Sequence, residues 1–414
     1  MSRPPASRPS VLTASAPTTP FTPRVATSAM FFANGLVLAT WVLRIPNVRD
    51  DLHLSDAQVG TAILGMAVGS LFSMPLSGRW IVRWGSAAMT RLFALLFCLS
   101  LPLPFLAHSL STLFLALAVV GLTNGAMDVS MNAQGVAVER QLNRPVLSSF
   151  HAWFSLGNLA GALLGSLILG LGVSLWAHVL GTVAVMLVLT TVAGLTLLPR
   201  RFDHTGESAP PEVAPTLWQR LRLSPLVLGM GLLCFLGMLG EGATGDWSGL
   251  YFRDVLLVSG GLVGLGYSAF TLAMTVGRVF GDRWRLRLGA GPLVVAGGVV
   301  AGLGVLAAIL SREPWLAGLG YALTGLGVAN IVPVLYGVAG RAMSAHGIAQ
   351  VATLGYLGFL AGPPLIGYVA HALGLRAGLL VIALSLLLVA GLGFRMFGRL
   401  HPGENTGEYA AEAA

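Results

Sequence analysis

The feature that most restricts this chain is the recurrence, along nearly its whole length, of apolar stretches about 20 residues long. A helix of that length crosses the roughly 30 Å hydrocarbon core of a bilayer. Twelve such stretches can be marked, at 28 to 48, 57 to 77, 87 to 107, 111 to 137, 147 to 170, 174 to 197, 225 to 251, 258 to 280, 290 to 310, 315 to 340, 347 to 372 and 374 to 397. Only 10% of the 414 residues are charged, against about a quarter in ordinary soluble domains. Most of this chain is therefore not built to meet water. The expectation is an all-α membrane protein with twelve transmembrane helices.

The sequence has 24 arginines and no lysine. Placed on the twelve spans, the arginines divide unevenly. One side takes Arg3, Arg8 and Arg24, Arg79, Arg83 and Arg91, Arg140 and Arg144, Arg200, Arg201, Arg220 and Arg222, Arg278, Arg283, Arg285 and Arg287, Arg341, Arg395 and Arg399. The other takes Arg44, Arg49, Arg253, Arg312 and Arg376. The arginine-rich side is the expected cytoplasmic side, which puts both termini and the central loop in the cytoplasm and the chain in the inner (plasma) membrane.

In a soluble protein, a net charge of +8 would suggest a nucleic-acid partner. Here the arginines sit at span ends and read as topology signals, so no nucleic acid is expected. Cys98 and Cys234 lie within apolar spans and indicate neither a disulfide scaffold nor a metal site. No phosphate-binding glycine loop, metal cluster or catalytic triad spacing occurs. An enzyme, an ATP-driven pump and a cofactor or metal protein are thus disfavoured.

The chain repeats itself at about half its length. Arg79-Trp80-Ile81-Val82-Arg83-Trp84-Gly85 matches Arg283-Trp284-Arg285-Leu286-Arg287-Leu288-Gly289 at an offset of 204 residues. Leu156-Gly157 with Leu159-Ala160-Gly161 matches Leu357-Gly358 with Leu360-Ala361-Gly362, and Gly-Val-Ala recurs at Gly135 and Gly337. The expected organisation is a disordered tail at 1–27, a six-helix half at 28–198, a linker at 199–224, a second half at 225–397 and a tail at 398–414. Parallel repeats of this kind put the substrate site between the halves near the midplane.

This pattern resembles the major facilitator superfamily, whose loops after helices 2 and 8 carry glycine, aspartate and basic residues in a short motif. Gly78, Arg83 and Gly85 match the first copy. Val82 and Leu286 occupy the aspartate positions, and Asp282 stands four residues before Leu286. The resemblance implies the superfamily's fold of two six-helix halves related by a pseudo-two-fold axis. Glu139-Arg140, the stretch from Phe150 to Gly157, and Glu241-Gly242 with Asp246-Trp247 look like an uncharacterised bacterial inner-membrane branch of that superfamily.

Asn124, Asp128 and Asn132 are spaced four apart and share one face of helix 4. A mid-membrane aspartate costs about 2.5 to 3.5 kcal/mol on insertion scales and marks an ion or solute path by default. A carboxyl there that takes a proton on one side and releases it on the other is the physical basis of proton coupling; a structural helix-to-helix hydrogen bond is the plainer alternative. The Asp128, Asn132 spacing is distantly similar to an acid-x-x-x-asparagine pattern in L-fucose:proton symporters. The acid expected in their helix 1 is replaced by Val42, with Asn34 and Trp41 nearby.

Span 7 carries Glu241, Asp246 and Trp247 among Gly240, Gly242, Gly245 and Gly249, so a broken helix exposing backbone and carboxylates is one expectation. The other is that Asp246 and Trp247 lie at the membrane interface, where Trp is common. His151 is either a proton donor or a packing residue. Gly157, Gly161 and Gly165, like Gly358 and Gly362, read as helix-packing positions. Arg79, Arg83, Arg283 and Arg287 are either a cytoplasmic gate between the halves or topology signals alone.

These readings converge on a secondary active transporter of a small solute, working by alternating access and coupled to protons, in symport, through Asp128 and Glu241. Asn34, Trp41, Asn124, Asn132, Asn158, Asp246, Trp247 and Asn330 are the solute-binding candidates. A multidrug or metabolite exporter is the competing transporter reading, and a non-transporting membrane receptor or scaffold the reading from another class. Solute, protons and the lipid bilayer are the expected partners of a monomer.

Overall fold

The computed structural model describes residues 22–142, 146–203, 224–342 and 345–398. Most of the two tails and of the linker, and the side chains of Asp282 and Arg341, lie outside the described residues.

Among the described residues, twelve spans are long and apolar enough to cross a membrane. They are α1 (Pro23–Asp51), α2 (Asp56–Trp84), α3 (Ser86–Ser100, its span carried on to Leu106 by a 3-10 turn), α4 (Leu110–Leu142), α5 (Leu147–Gly170), α6 (Leu175–Gly194), α7 (Pro225–Asp254), α8 (Leu265–Leu288), α9 (Ala290–Leu310), α10, α11 (Ala345–Leu373) and α12 (Leu375–Phe397). The tenth span has two pieces, Pro314–Val328 and Ile331–Ala342. Several helices outrun the apolar windows, α2 by about two turns at its end. The hydrogen-bond ladder continues wherever capping and propensity allow, while hydropathy marks only the part suited to hydrocarbon. Ser55 shows this at a helix start: its side chain accepts from Gln58 N, and the Gln58 side chain accepts from Ser55 N in return.

In water, outward-facing Leu115, Val185, Val188, Leu303 and Leu384 would be a large exposed apolar surface. Against lipid they are the matching solvent, and every backbone group behind them is satisfied within its own helix.

α1 packs on α5 and α6, α2 on α4, and α3 on α4 and α6. Six helices later, α7 packs on α11 and α12, α8 on α10, and α9 on α10 and α12. This one-to-one correspondence is the pseudo-two-fold relation between two six-helix halves. Across the halves, α2 meets α11, α5 meets α8 and α1 meets α7.

Glycine sets how closely the helices approach. A methyl group on Gly157 would overlap the Phe32 carbonyl of α1, one on Gly69 the Ala118 carbonyl of α4, and one on Gly358 the Phe235 carbonyl of α7. Without a hydrophobic drive between helices in lipid, such close packing is a main source of association. In the repeated motif glycine has a second role. Gly85 and Gly289 have φ of +89° and +83°, which side-chain-bearing residues rarely adopt, and each turns the chain between two helices. Asp203, just past α6, accepts from Ser86 N and Ser86 Oγ, giving the start of α3 an acidic cap from another segment.

Two expectations about backbone and charge are corrected. α7 is continuous through Gly240 to Gly249; the break lies in span 10, at Ala329 and Asn330. Pro333 explains it: four residues on, it has no N–H for the Ala329 carbonyl and its ring crowds that oxygen. Arg278, counted above with the loop after span 8, lies inside the span, and Arg44 is buried within α1 rather than at a membrane surface.

Candidate functional site

The end of the bundle where both described termini lie is called the terminal end here, and the opposite one the far end. Polar side chains join the halves between them, and others cluster within the first half.

At mid-length of α7, Glu241 Oε1 accepts from Arg278 Nη2 of α8 at 2.9 Å. The same guanidinium donates through Nη1 to Ser155 Oγ of α5 at 2.7 Å, so one cation ties a carboxylate of the second half to a hydroxyl of the first. His151, one turn before Ser155, lies within electrostatic reach of Arg278 and sets its ring edge against Phe31. Farther along the α5–α8 seam, Tyr267 Oη donates to Asn158 Oδ1 at 3.4 Å, and the Ser166 and Ser268 hydroxyls are 3.2 Å apart. Asp246 and Glu241 both lie within electrostatic reach of Tyr267.

On the first half, Asn34 of α1 donates to Asn124 Oδ1 of α4 at 2.8 Å. One turn on, Asp128 is half-buried, with Asn132 Nδ2 donating to its Oδ1 at 3.2 Å. Across the interface it is within electrostatic reach of Tyr356 of α11, which is similarly related to Tyr336 of α10, and Tyr336 to Glu241.

The structure therefore pairs Asn34 with Asn124 and Asp128 with Asn132 in the first half, and places Asn158 and Glu241 along the α5–α8 seam, on Tyr267 and Arg278. Other candidates it places elsewhere. Trp41 packs inside the first half, its ring 5.8 Å from Phe105, and is 3% exposed. Trp247 is fully buried one turn before Tyr251, whose hydroxyl donates to the Ala308 carbonyl of α9, so it shares the face turned into the second half. Trp247 is thus packed against protein, and Asp246 stands about 12 Å before the end of α7. Asn330 donates to the Gly277 carbonyl at 2.9 Å, bracing the span 10 break against α8.

Arg79, Arg83, Arg283 and Arg287 are exposed at the terminal end. Arg83 and Arg283 lie over the rings of Trp84 and Phe280, and none of the four forms an ion pair among the described residues. In this conformation the ion pairs between α1 and α7 are at the far end instead. Arg49 pairs with Asp254 and Arg253 Nη1 with Asp50 Oδ2 at 2.6 Å; Arg49 Nη2 is also 3.1 Å from Asp56 Oδ1.

Arg278 and the three tyrosines were not among the sequence candidates. The signal for Arg278 was available: it falls inside the eighth apolar stretch, and a cation at that depth calls for an acid. The tyrosines had none, because a lone Tyr in an apolar span reads as packing until its neighbours are known.

The arrangement can be set beside known proteins. Residues 25–356 match the Major Facilitator Superfamily model. The chain is 35% identical over 370 residues to an uncharacterised MFS-type transporter of Yersinia pestis, covering 89% of this chain and 94% of that one. It is 36% identical over 381 residues to the membrane protein MosC of Rhizobium meliloti, covering 89% of each. Among solved structures it is similar to the nucleoside transporter NupG, with a TM-score of 0.72 at 14% identity over 91% of this chain and 99% of that one. It is also similar to a bacterial homologue of the lysosomal transporter Spinster in an inward-facing, occupied conformation, with a TM-score of 0.71 at 14% identity over 93% and 98%. On the family match and these relatives, the chain belongs to the major facilitator superfamily, as a multi-pass membrane transporter of that type.

Proposed function

We propose that the chain moves a small polar solute by alternating access, with its termini in the cytoplasm of a bacterial inner membrane, and couples that movement to protons. The observation that carries this reading is the Glu241–Arg278–Ser155 bridge. A proton on Glu241 removes one of the two charges in the pair. Arg278 then loses its main partner in the second half while still holding Ser155 in the first, so protonation changes the tie between the halves. Asp128 of the first half is the second proton carrier, and Asn34, Asn124, Asn132 and Asn158 supply donors and acceptors for a solute with hydroxyl or amide groups. The contacts at the far end and the arginine-rich terminal end support an inward-facing state, closed to the outside. All of these residues come from one chain, so a monomer suffices.

The test is a solute panel on proteoliposomes containing a pH-sensitive dye. A coupled carrier gives solute-dependent internal pH change; no flux across a broad panel favours the scaffold reading. An exporter of amphiphilic cations is the second reading, supported by Tyr267, Tyr336 and Tyr356 beside the acids. Solute accumulation in everted vesicles but not in right-side-out ones would select it.

A further inference from the structure

Arg44 is the one charged side chain among the buried residues described, 2% exposed on α1 and about 10 Å before that helix ends. Its Nε donates to His178 Nδ1 of α6 at 3.1 Å, and His178 is itself 5% exposed. A ring nitrogen that accepts carries no proton, so the imidazole takes this bond as a neutral group and does not offset the arginine's charge. Arg44 Nη2 is buried and has no partner among the described residues. The acids of this end are committed elsewhere: Asp50, Asp56 and Asp254 face Arg49 and Arg253, and Arg44 enters no ion pair among the described residues. The helix it meets adds to the imbalance. His178 is the fourth residue of α6, whose first turn carries no acid, and the aligned amides of a helix make its start positive. The fold does not demand this burial. At the corresponding α7–α12 crossing of the second half, Arg376 of α12 is exposed and interacts with Tyr251 of α7.

We propose that Arg44 and the first turn of α6 form a binding site for a small monovalent anion of chloride size, inside the first half. A lone cation held out of water costs several kcal/mol, and buried charges are paired for that reason. A water molecule would satisfy the Nη2 proton but leave the charge; an anion answers both, and the start of α6 adds to its attraction. Enclosure sets the size of the ligand. Gly165 of α5 lies so close that a methyl group there would overlap Leu43 and press on the His178 ring. A monatomic ion needs only side-chain motion to enter, whereas a lipid headgroup or an organic acid does not fit between two residues this buried. Arg44 faces α6 rather than the other half, so the anion is a ligand of the α1–α6 packing and not the transported solute.

The test uses the full-length protein in lipid nanodiscs, with no solute and no pH gradient, so its outcome is separate from that of the transport reading. Chloride replaces gluconate at constant ionic strength while thermal unfolding and equilibrium binding of radioactive chloride are followed. Saturable, stoichiometric binding is expected, with a melting temperature that climbs with chloride as it does for any ligand of the folded state. Arg44→Gln removes the charge and the unpartnered donor; it should weaken chloride binding about tenfold or more and flatten the thermal response. Arg376→Gln, at the exposed counterpart, should keep both. Absence of saturable binding in the wild type overturns the proposal and leaves a water as the partner of Nη2; binding of undiminished strength in Arg44→Gln overturns the location. Should Arg44→Gln not fold, bromide in crystals of the wild-type protein locates the ion by anomalous scattering. A peak in contact with Arg44 Nη2 is expected, and a peak elsewhere or none overturns the site.

Discussion

Arg278 pairs with the acid of its own half and a hydroxyl of the other, which makes it the residue through which the charge state of Glu241 is felt across the interface. Arg278→Gln should leave Glu241 in a mostly buried site without its cation, costing about 1–3 kcal/mol. Adding Glu241→Gln should recover about 1 kcal/mol or more, because the double variant buries no lone charge. Thermal unfolding in detergent measures both, and a double variant less stable than Arg278→Gln alone would remove the pair from the mechanism. Asp128→Asn keeps the side chain's size and much of its hydrogen bonding but cannot carry a proton. In proteoliposomes it should abolish accumulation driven by a pH gradient while retaining solute exchange; unchanged accumulation dismisses the proton role. Asp128 was legible in the sequence because an isolated acid in an apolar helix stands out. Its partner across the interface, Tyr356, was not, since 228 residues separate them and only packing brings them near.

Single helices carry two further tests. Gly157→Leu drives a side chain into the Phe32 carbonyl where α5 rests on α1, whereas Gly181→Leu on α6 meets nothing within 4 Å. The first should destabilise by about 1–3 kcal/mol or more and fail as a monodisperse peak in size-exclusion chromatography; the second should behave as wild type. Asn330→Ala removes the brace from the span 10 break to the Gly277 carbonyl and should cost about 1 kcal/mol by thermal unfolding. No loss would mean that Pro333 alone holds the break. The sequence pointed to a break in the wrong helix because glycine content was weighed above proline. In lipid, helix-stabilising hydrogen bonds have no water to compete with them, so the glycines of α7 stay helical and serve as contact surface, facing Phe359 at Gly242 and Leu386 at Gly240. Pro333 cannot be accommodated in that way, because the bond it lacks does not exist.

For the whole molecule, twelve hydrophobic windows and a 204-residue offset determined the fold class and the pseudo-symmetry before any coordinates. That works because both are properties of sequence: the thickness of hydrocarbon sets the window, and duplication leaves a period. The sequence also determined which residues are anomalous, namely Asp128, Glu241, Asp246 and the amides, since a polar group in an apolar helix is conspicuous whatever surrounds it. Which of these meet was decided by the tertiary structure alone. Helix rotation about its axis turned Trp41 and Trp247 into the interiors of their halves and Arg278 toward Glu241 and Ser155. The relative tilt of the halves placed the ion pairs between α1 and α7 at the far end, between Arg-Asp dipeptides, and left the four motif arginines exposed. Rotation and tilt follow from close packing at glycine contacts between helices distant in sequence, and a window along the chain carries no information about them.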